Sequence, residues 1–421
     1  MPTLIRQAYV LGLDESLIGA EGVGDVLIDD GRIVAIAPSL TDTPPNTEII
    51  DAQGQYLGPG LVDLYSQSGE PGHESRETYE SLGQAALAGG FTRVGVLPNT
   101  QPAVDTVSAI AVVQKSSRPD SAKLLPWATV TRGGAGEQLN ELAELAQAGA
   151  IGFSDSAPLS NTVLLRRLLE YAQPLQKPIA LWPCSLSLVG GGIAREGSDA
   201  LRLGLSGVSA IAETTALTTI LECVAEIPAL VHIMRVSTAR SVALIRQAKE
   251  RELPVSASVP WHHLIFDTQD LETYDPNLRH EPPLGTPADR AALIAGVKDG
   301  VIDAIAIDHS PYTYEENTVA FDSAPPGAIG LELALPILWE TFVAGEPQWS
   351  PELLWRSLSH NPSQCLGLAP SSLSVGSAAE LTLFDPRLSW QASAKNLKSL
   401  SINTPWANRA IKGKVVSTWR P

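Results

Sequence analysis

Short apolar runs alternate with amphipathic stretches through the middle of the chain, between residues 57 and 368. The runs span residues 61–64, 92–99, 149–155, 177–182, 229–237, 253–260 and 303–311. Continuous apolar runs are typical of strands that are buried on both faces of a parallel sheet. Between them, segments such as 77–90 carry apolar residues at helical spacing. Repeated strand–helix units of this kind predict an α/β barrel or a doubly wound sheet.

The motifs favour the barrel. The middle of the chain has no G-x-G-x-x-G fingerprint of a dinucleotide-binding sheet. Seven or eight consecutive strand–helix units match a (β/α)8 TIM-like barrel instead. We therefore predict this barrel over residues 57–368.

Both ends of the chain have a different pattern, typical of short strands and tight turns. Residues 25–38 form two apolar runs joined through Asp30-Gly31, which is a strong hairpin signal. Residues 379–386 and the Val415-Val416 pair continue this style near the C-terminus. The prediction is a small β-sandwich domain built from residues 1–56 and 369–421.

In a barrel of this type, chemistry takes place at the carboxyl ends of the strands. The polar and aromatic residues that follow each apolar run are therefore the candidate site residues. In chain order they are Tyr65, Gln67, Asn99, Asp155, Trp182, Arg235, His262, His263, Asp308 and His309.

Composition narrows the functional classes. Hydrophobic residues make up 44% of the chain and charged residues 18%, as in ordinary globular proteins. A formal charge of −17 argues against nucleic acid or an anionic membrane as a partner. The three cysteines lie far apart, and no signal-peptide pattern or membrane-length apolar run is present. These features predict a cytoplasmic protein.

Several segments resemble one enzyme family over essentially the whole length of the chain. They include GPGLVDLYSQSGEPG (58–72), the run from 70 to 105, VPWHHL (259–264), EPPLGTPADRAAL (281–293) and IDHSP (307–311). These segments resemble the class I dihydroorotases and related cyclic-amide hydrolases of the amidohydrolase superfamily. The resemblance implies a TIM-like barrel, a zinc centre and a role in pyrimidine biosynthesis.

The resemblance also implies a metal site that this chain does not complete. The family's four zinc-binding histidines correspond to Tyr65, Gln67, Trp182 and Arg235. Its two metal-binding aspartates correspond to Asp155 and Asp308, and the second is the family's general base. Two carboxylates alone are a poor zinc site, so we expect no metal and no cofactor. We hypothesise an Asp155–Arg235–Asp308 ion cluster in its place, because a guanidinium can bridge carboxylates.

The positions that bind substrate in the family also carry different residues in this chain. The resemblance places arginines at Gly69 and Gly285, an asparagine at Glu281 and a histidine at Tyr312, whereas the substrate-loop residue Asn99 is retained. Loss of charge-assisted pairs worth about 1.5–3 kcal/mol each weakens binding of an anionic substrate.

The histidines do not suggest another metal site, because none has H-x-H or H-x-x-x-H spacing. We expect His309 to be a hydrogen-bonded structural residue. His232 lies three residues before Arg235 on the same strand, and we expect it to face a different side.

The favoured interpretation is a dihydroorotase-like protein without catalytic activity. The resemblance implies assembly with the catalytic chain of aspartate carbamoyltransferase, and hence an oligomer. One alternative is an active dihydroorotase that uses Asp308 as base and Arg235 for electrostatic stabilisation. Another is a small-molecule binding protein whose pocket is lined by Trp182 and Tyr65. The sequence leaves open the residual activity, the partner's interface and the oligomeric state.

Overall fold

The computed structural model describes residues 2–12, 22–345 and 348–420. The strands are β1 Thr3–Val10, β2 Val23–Asp29, β3 Arg32–Ala37, β4 Glu48–Asp51, β5 Tyr56–Pro59, β6 Leu61–Ser66, β7 Phe91–Val96, β8 Lys123–Ala128, β9 Gly152–Phe153, β10 Ile179–Leu181, β11 Ala194–Arg195, β12 Gly207–Val208, β13 Val231–Ile233, β14 Val255–Pro260, β15 Ala304–Ala306, β16 Leu381–Gln391 and β17 Ala410–Trp419.

Helices follow most of the central strands. They are α1 Tyr79–Ala88, α2 Val107–Lys115, α3 Leu142–Gln147, α4 Thr162–Ala172, α5 Leu186–Val189, α6 Ser198–Leu203, α7 Ile211–Glu226, α8 Ala239–Glu250, α9 His262–Ile265, α10 Pro287–Lys298, α11 Tyr314–Asn317, α12 Ala334–Trp339, α13 Pro351–Leu358 and α14 His360–Cys365. A π-helical segment, Glu340–Gly345, continues α12. Within the described ranges, no helix is long and apolar enough to cross a bilayer.

Eight central strands form a nearly closed parallel barrel. Their spatial order is β15-β14-β13-β10-β9-β8-β7-β6. Hydrogen bonds join the two ends of this series beyond β15 and β6: Asp308 N donates to Tyr65 O at 3.2 Å, and Gln67 N donates to His309 O at 2.8 Å. The predicted TIM-like barrel is confirmed.

A second sheet combines strands from both ends of the chain. Its order is β17-β16-β5-β1-β2-β3, with β4 paired to β1. The predicted hairpin joins β2 to β3, and Asp30 and Gly31 at its turn have φ values of 46° and 68°. Positive φ at both central residues is the geometry for which Asp-Gly is selected. The division at residue 56 remains a prediction, and β5 of this sheet runs past it.

Helix α1 shows how local sequence positions the barrel's first strand–helix unit. Thr78 caps the helix, with its side chain accepting from Ser81 N at 3.1 Å. The helix ends at Gly89, where a Cβ would lie 2.0 Å from the carbonyl oxygen of Leu331. Only glycine fits this close approach between the helix end and the backbone at Leu331.

Four of the buried histidines have pKa values below the ordinary one. They are His232, His262, His263 and His280. Burial lowers the pKa of His232 and His280 to about 3 and that of His263 to about 4, and it lowers the pKa of His262 well below its ordinary value. All four are therefore neutral in the folded protein near neutral pH.

These histidines make the folded protein sensitive to acid. Because the unfolded chain takes up protons near pH 6.5 and the folded chain does not, each histidine costs about 1.4 kcal/mol of stability per pH unit below that value, until its folded pKa is reached. Buried Asp63 and Glu332, whose pKa values burial raises to about 7, act in the opposite direction. A variant comparison therefore isolates the effect.

We predict that the His280→Asn variant loses less stability than the wild type between pH 6 and pH 5, by about 1.2 kcal/mol. Urea unfolding of both proteins at the two pH values measures this difference. Equal pH dependence in the two proteins would contradict the assignment of a neutral, buried His280.

Candidate functional site

The residues that the resemblance aligns with metal ligands all lie at the carboxyl ends of barrel strands. In chain order, Tyr65 is the next-to-last residue of β6, Gln67 follows β6, Asp155 follows β9, Trp182 follows β10, Arg235 follows β13 and Asp308 follows β15. This is the barrel face at which catalytic groups are found in such folds. The parallel barrel therefore brings together, at one face, residues that are far apart in sequence.

Arg235 and Asp308 form a two-pronged ion pair at the centre of this face. Arg235 Nε donates to Asp308 Oδ2 at 2.8 Å, and Nη2 donates to Oδ1 at 2.7 Å. The side chains are only 7% and 12% exposed. Burial disfavours the guanidinium charge, but the Asp308 carboxylate outweighs burial, so the pKa of Arg235 lies above its ordinary value. Each charge neutralises the other in a desolvated environment.

Unusual backbone conformations position this pair. Arg235 and Asp308 have φ values of 54° and 49°. A non-glycine residue in the left-handed region costs about 1–3 kcal/mol and persists where surrounding contacts require it. Here the turn directs each side chain across the barrel mouth toward the other.

Tyr65 fills the space beneath the ion pair. Its side chain is fully buried, and its hydroxyl bonds Ser258 Oγ at 2.9 Å and accepts from Arg235 N at 3.1 Å. Burial raises the pKa of the phenol above its ordinary value, so it stays protonated. Sequence reasoning placed Tyr65 correctly at this face but missed its partner Ser258, which carries no motif.

His232 belongs to the same network, which corrects the expectation that it faces elsewhere. Its Nε2 lies 2.8 Å from Ser258 Oγ, the atom that also bonds Tyr65. The expectation assumed that strand alternation continues to Arg235. In fact β13 ends at Ile233, and the positive φ of Arg235 breaks the alternation.

Asp155 does not join the ion pair, so the hypothesised cluster of three charges is wrong. Its carboxylate accepts from Thr131 N at 3.0 Å and from Thr131 Oγ1 at 2.6 Å. Burial raises its pKa, and the two Thr131 bonds oppose that rise. Nη1 of Arg235 turns instead to the carbonyl oxygen of Ser156, at 3.5 Å. Both donors of Asp155 therefore come from Thr131, and no hydrogen bond joins Asp155 to Arg235 among the described residues.

Trp182 covers the guanidinium. Arg235 Cζ lies 5.1 Å from the centre of the indole ring, within the range of a cation–π contact. The Trp182 Nε1 atom is buried and has no hydrogen-bond partner among the described residues. The aromatic face thus stabilises the cation while the indole N–H remains free.

Gln67 and Asn99 form a separate polar chain at the rim. Gln67 Nε2 donates to Ser310 Oγ at 2.9 Å, and its Oε1 accepts from Asn99 Nδ2 at 3.1 Å. Asn99, the retained substrate-loop position, is exposed and bonded to Gln67.

The two glycines at former arginine positions are sterically constrained. A Cβ at Gly69 would lie 2.0 Å from His73 O, and a Cβ at Gly285 would lie 2.6 Å from Asp289 Cβ. Neighbouring atoms occupy the volume that a larger side chain would need at either position. Neither position accepts an arginine without movement of the chain around it.

His309 is anchored as a hydrogen-bonded buried residue. Its Nδ1 accepts from Gly330 N at 3.2 Å, and its Nε2 lies 3.3 Å from Glu77 Oε2. Glu77 is fully buried and also accepts from Ser399 and from Leu400 N. Sequence reasoning missed Glu77, whose position just before α1 gave no functional signal.

The donor set does not fit the zinc centre that the resemblance implies. In the described ranges, no group of three or more His, Cys, Asp or Glu side chains is placed to hold a metal ion. Asp308 is engaged by Arg235 and Asp155 by Thr131, and neither a guanidinium nor an indole is a zinc ligand.

Comparison with known proteins agrees with this fold and motif set. Residues 54–226 match the family model described as dihydro-orotase-like. The chain is 43% identical over 429 residues to a probable dihydroorotase-like protein of Synechocystis sp., covering 95% of this chain and 96% of the relative. It is 38% identical to a dihydroorotase of Pelobacter propionicus, with 99% and 98% of the two chains covered.

Solved structures support the same architecture at lower identity. L-hydantoinase from Arthrobacter aurescens superimposes with a TM-score of 0.84 at 20% identity, covering 100% of this chain and 96% of that chain. Dihydropyrimidinase from Brevibacillus agri gives a TM-score of 0.81 at 22% identity, with 99% and 93% covered. These structures share the fold, and the whole-length sequence relatives identify the chain as a member of the dihydroorotase family.

Proposed function

We propose that this chain is a non-catalytic dihydroorotase-like protein that holds no zinc and acts as a structural partner of the aspartate carbamoyltransferase catalytic chain in pyrimidine biosynthesis. The observation that carries the loss of catalysis is the Arg235–Asp308 ion pair. The partner comes from the resemblance to non-catalytic members of the family.

The engagement of Asp308 by Arg235 supports the proposed loss of hydrolytic activity. Both carboxylate oxygens of Asp308, the family's general-base position, accept hydrogen bonds from Arg235. With both oxygens engaged by guanidinium N–H donors, the carboxylate is not free to accept a proton from water. Tyr65, whose hydroxyl bonds the Arg235 backbone, is a buried neutral phenol and does not replace Asp308 as a base.

The close packing of the loops at the barrel mouth also supports the proposed loss of catalysis. Gly69 and Gly285 leave no room for the arginines that bind substrate in the family. Arg76, in the loop after β6, pairs with Glu316 of α11 through Nε at 3.0 Å, and its Cζ lies 5.1 Å from the centre of the Tyr312 ring. These contacts tie together the loops that follow the first and last barrel strands.

The other candidate function is an active cyclic-amide hydrolase with an altered centre. It is favoured by whole-length relatives that bear the name dihydroorotase, including one from Pelotomaculum thermopropionicum at 37% identity. In this case Asp308 would serve as base and Arg235 as an electrostatic stabiliser. Assay and metal content separate the two functions directly.

We predict that the purified chain contains substoichiometric zinc and has no dihydroorotase activity, because its ligand positions are engaged or chemically unsuited. Elemental analysis and a coupled assay measure both quantities. The matched control combines four substitutions, Tyr65→His, Gln67→His, Trp182→His and Arg235→His. This variant is expected to bind zinc through the four histidines together with Asp155 and Asp308. Stoichiometric zinc in the unaltered chain, or activity that Asp308→Asn abolishes, would overturn the proposal.

We also predict that Arg235→Met destabilises the protein by about 3–5 kcal/mol, because it leaves a buried carboxylate without its partner. The matched control is Arg246→Met, which breaks an exposed pair with Asp299 and is expected to change stability by less than about 1 kcal/mol. Denaturant unfolding measures both. Similar small effects at the two sites would show that the central pair is not the structural replacement proposed here.

For the partner role, we predict that the tagged chain co-elutes in fixed stoichiometry with the aspartate carbamoyltransferase catalytic chain of the same organism. Size-exclusion chromatography with light scattering, on each chain alone and on the mixture, measures the assembly. The expected result is a new species larger than either component. Independent elution at micromolar concentrations would reject the partner while leaving the question of catalysis to the zinc and activity measurements.

A further inference from the structure

The outer edge of β17 is open. This strand stands at one end of the terminal sheet, where it pairs with β16. Among the described residues, no backbone group of 410–419 bonds to a backbone group outside this pair. In an edge strand, alternate residues direct their N–H and C=O groups away from the sheet. The strand therefore offers a row of backbone donors and acceptors to another extended segment.

A groove of about 760 Å³ follows this edge. It is lined by five consecutive residues of β17, 414–418. Because successive side chains of a strand point to opposite faces, a groove that touches all five lies beside the backbone edge and not over one face of the sheet. Its other walls come from the end of α1 and from residues 390–398.

Side-chain bonds lie at both ends of this stretch of β17. Gly413 O accepts from Trp390 Nε1 at 3.0 Å, and Thr418 Oγ1 donates to Leu87 O at 2.9 Å. The edge between them is about five residues long, or about 17 Å at 3.4 Å per residue. This length fits a short extended peptide.

Lysines concentrate at the groove. Lys395, Lys398 and Lys414 all line it, and all three are exposed. The lysine ion pairs within the described ranges involve Lys249 and Lys412 instead. The three groove lysines are therefore available to a ligand.

Two acidic residues also line the groove, Asp120 and Glu332. Glu332 Oε1 accepts from Lys398 N at 2.8 Å and from Ser399 N at 3.1 Å. Burial raises the pKa of Glu332 to about 7, so its carboxyl group is only partly ionised near neutral pH. The lysines therefore outweigh the acids locally. The whole chain carries a charge of −17, but at physiological salt a charge acts over about 8 Å, so the local balance decides.

We propose that the β17 edge binds an acidic, extended polypeptide segment of a partner protein. The segment would add a strand to the terminal sheet through backbone hydrogen bonds, and its carboxylates would pair with the three groove lysines. Val416, which is 42% exposed, offers an apolar contact between the charged positions. The proposal concerns the terminal sheet alone, so it rests neither on the loss of catalysis nor on the carbamoyltransferase partner.

The same lysines disfavour a second copy of this chain as the occupant. Antiparallel pairing of two β17 edges would bring Lys412 and Lys414 of both copies to one seam. Like charges opposite each other in a sheet are destabilising, and lysines on an edge strand oppose self-association. An acidic segment meets the lysines with opposite charge.

The test uses a labelled heptapeptide, Thr-Glu-Val-Glu-Val-Glu-Thr with blocked ends, and a second peptide with lysine in place of each glutamate. Fluorescence anisotropy on the full-length chain is expected to show binding of the acidic peptide, with the basic peptide bound about tenfold or more weakly. Lys398→Glu and Lys414→Glu are each expected to weaken binding of the acidic peptide about fivefold. The matched control is Lys298→Glu, at an exposed position of α10 outside the groove, which is expected to bind as the wild type does.

N-methylation of the peptide separates strand addition from charge attraction alone. In an added strand, only alternate residues of the peptide bond to β17. Methylation of the glutamate amides and methylation of the valine amides are therefore expected to differ, with one pattern abolishing binding and the other retaining it.

Each outcome decides the proposal. It is overturned by no binding of the acidic peptide at millimolar concentrations, by equal binding of the two peptides, by unchanged affinity in Lys414→Glu, or by equal effects of the two methylation patterns. A dimer of the chain that the acidic peptide dissociates, measured by light scattering, would place a second copy at this edge and also overturn it. Circular dichroism verifies the fold of each variant. Zinc content and assembly with a carbamoyltransferase are separate measurements, so failure here does not alter the proposed function.

Discussion

The Arg235–Asp308 ion pair is the interaction on which the centre of this protein depends. Two opposite charges are buried at the mouth of the barrel, and each is tolerable only because the other is present. The surrounding residues fit the pair rather than a metal: the Tyr65 hydroxyl accepts the Arg235 backbone N–H, and the Trp182 ring covers the guanidinium. The substituted positions thus form one coupled arrangement.

The Arg235–Asp308 ion pair and the close packing around Gly69 and Gly285 occur together at this face. Arg235 supplies the positive charge that balances Asp308, so this buried carboxylate needs no metal ion for its neutralisation. The loops at Gly69 and Gly285 have closed to distances that exclude any side chain. The Arg76–Glu316 pair then holds the rim together. A zinc centre at this face would need several simultaneous changes, because any single one leaves an unpaired charge or a clash.

The sequence predicted the barrel, its first helix and the Asp30-Gly31 hairpin because these follow from local periodicity and turn chemistry. The apolar runs did not mark β8, whose four buried apolar residues surround Pro126. The position of each site residue at a strand end followed from the barrel itself. The partners of these residues did not, since Ser258, Thr131 and Glu77 belong to no motif.

The amino-acid sequence by itself determined the family, the barrel and the identity of the groups that stand where a metal centre would be. Only the tertiary structure decided how these groups pair. Arg235 and Asp308 are 73 residues apart, and their pairing depends on two left-handed backbone turns that no spacing rule encodes. Asp155 has the same chemistry as Asp308 but binds Thr131, because a carboxylate takes the donors that the fold brings nearest. Residue type sets what a side chain can bind, and three-dimensional proximity selects among those partners.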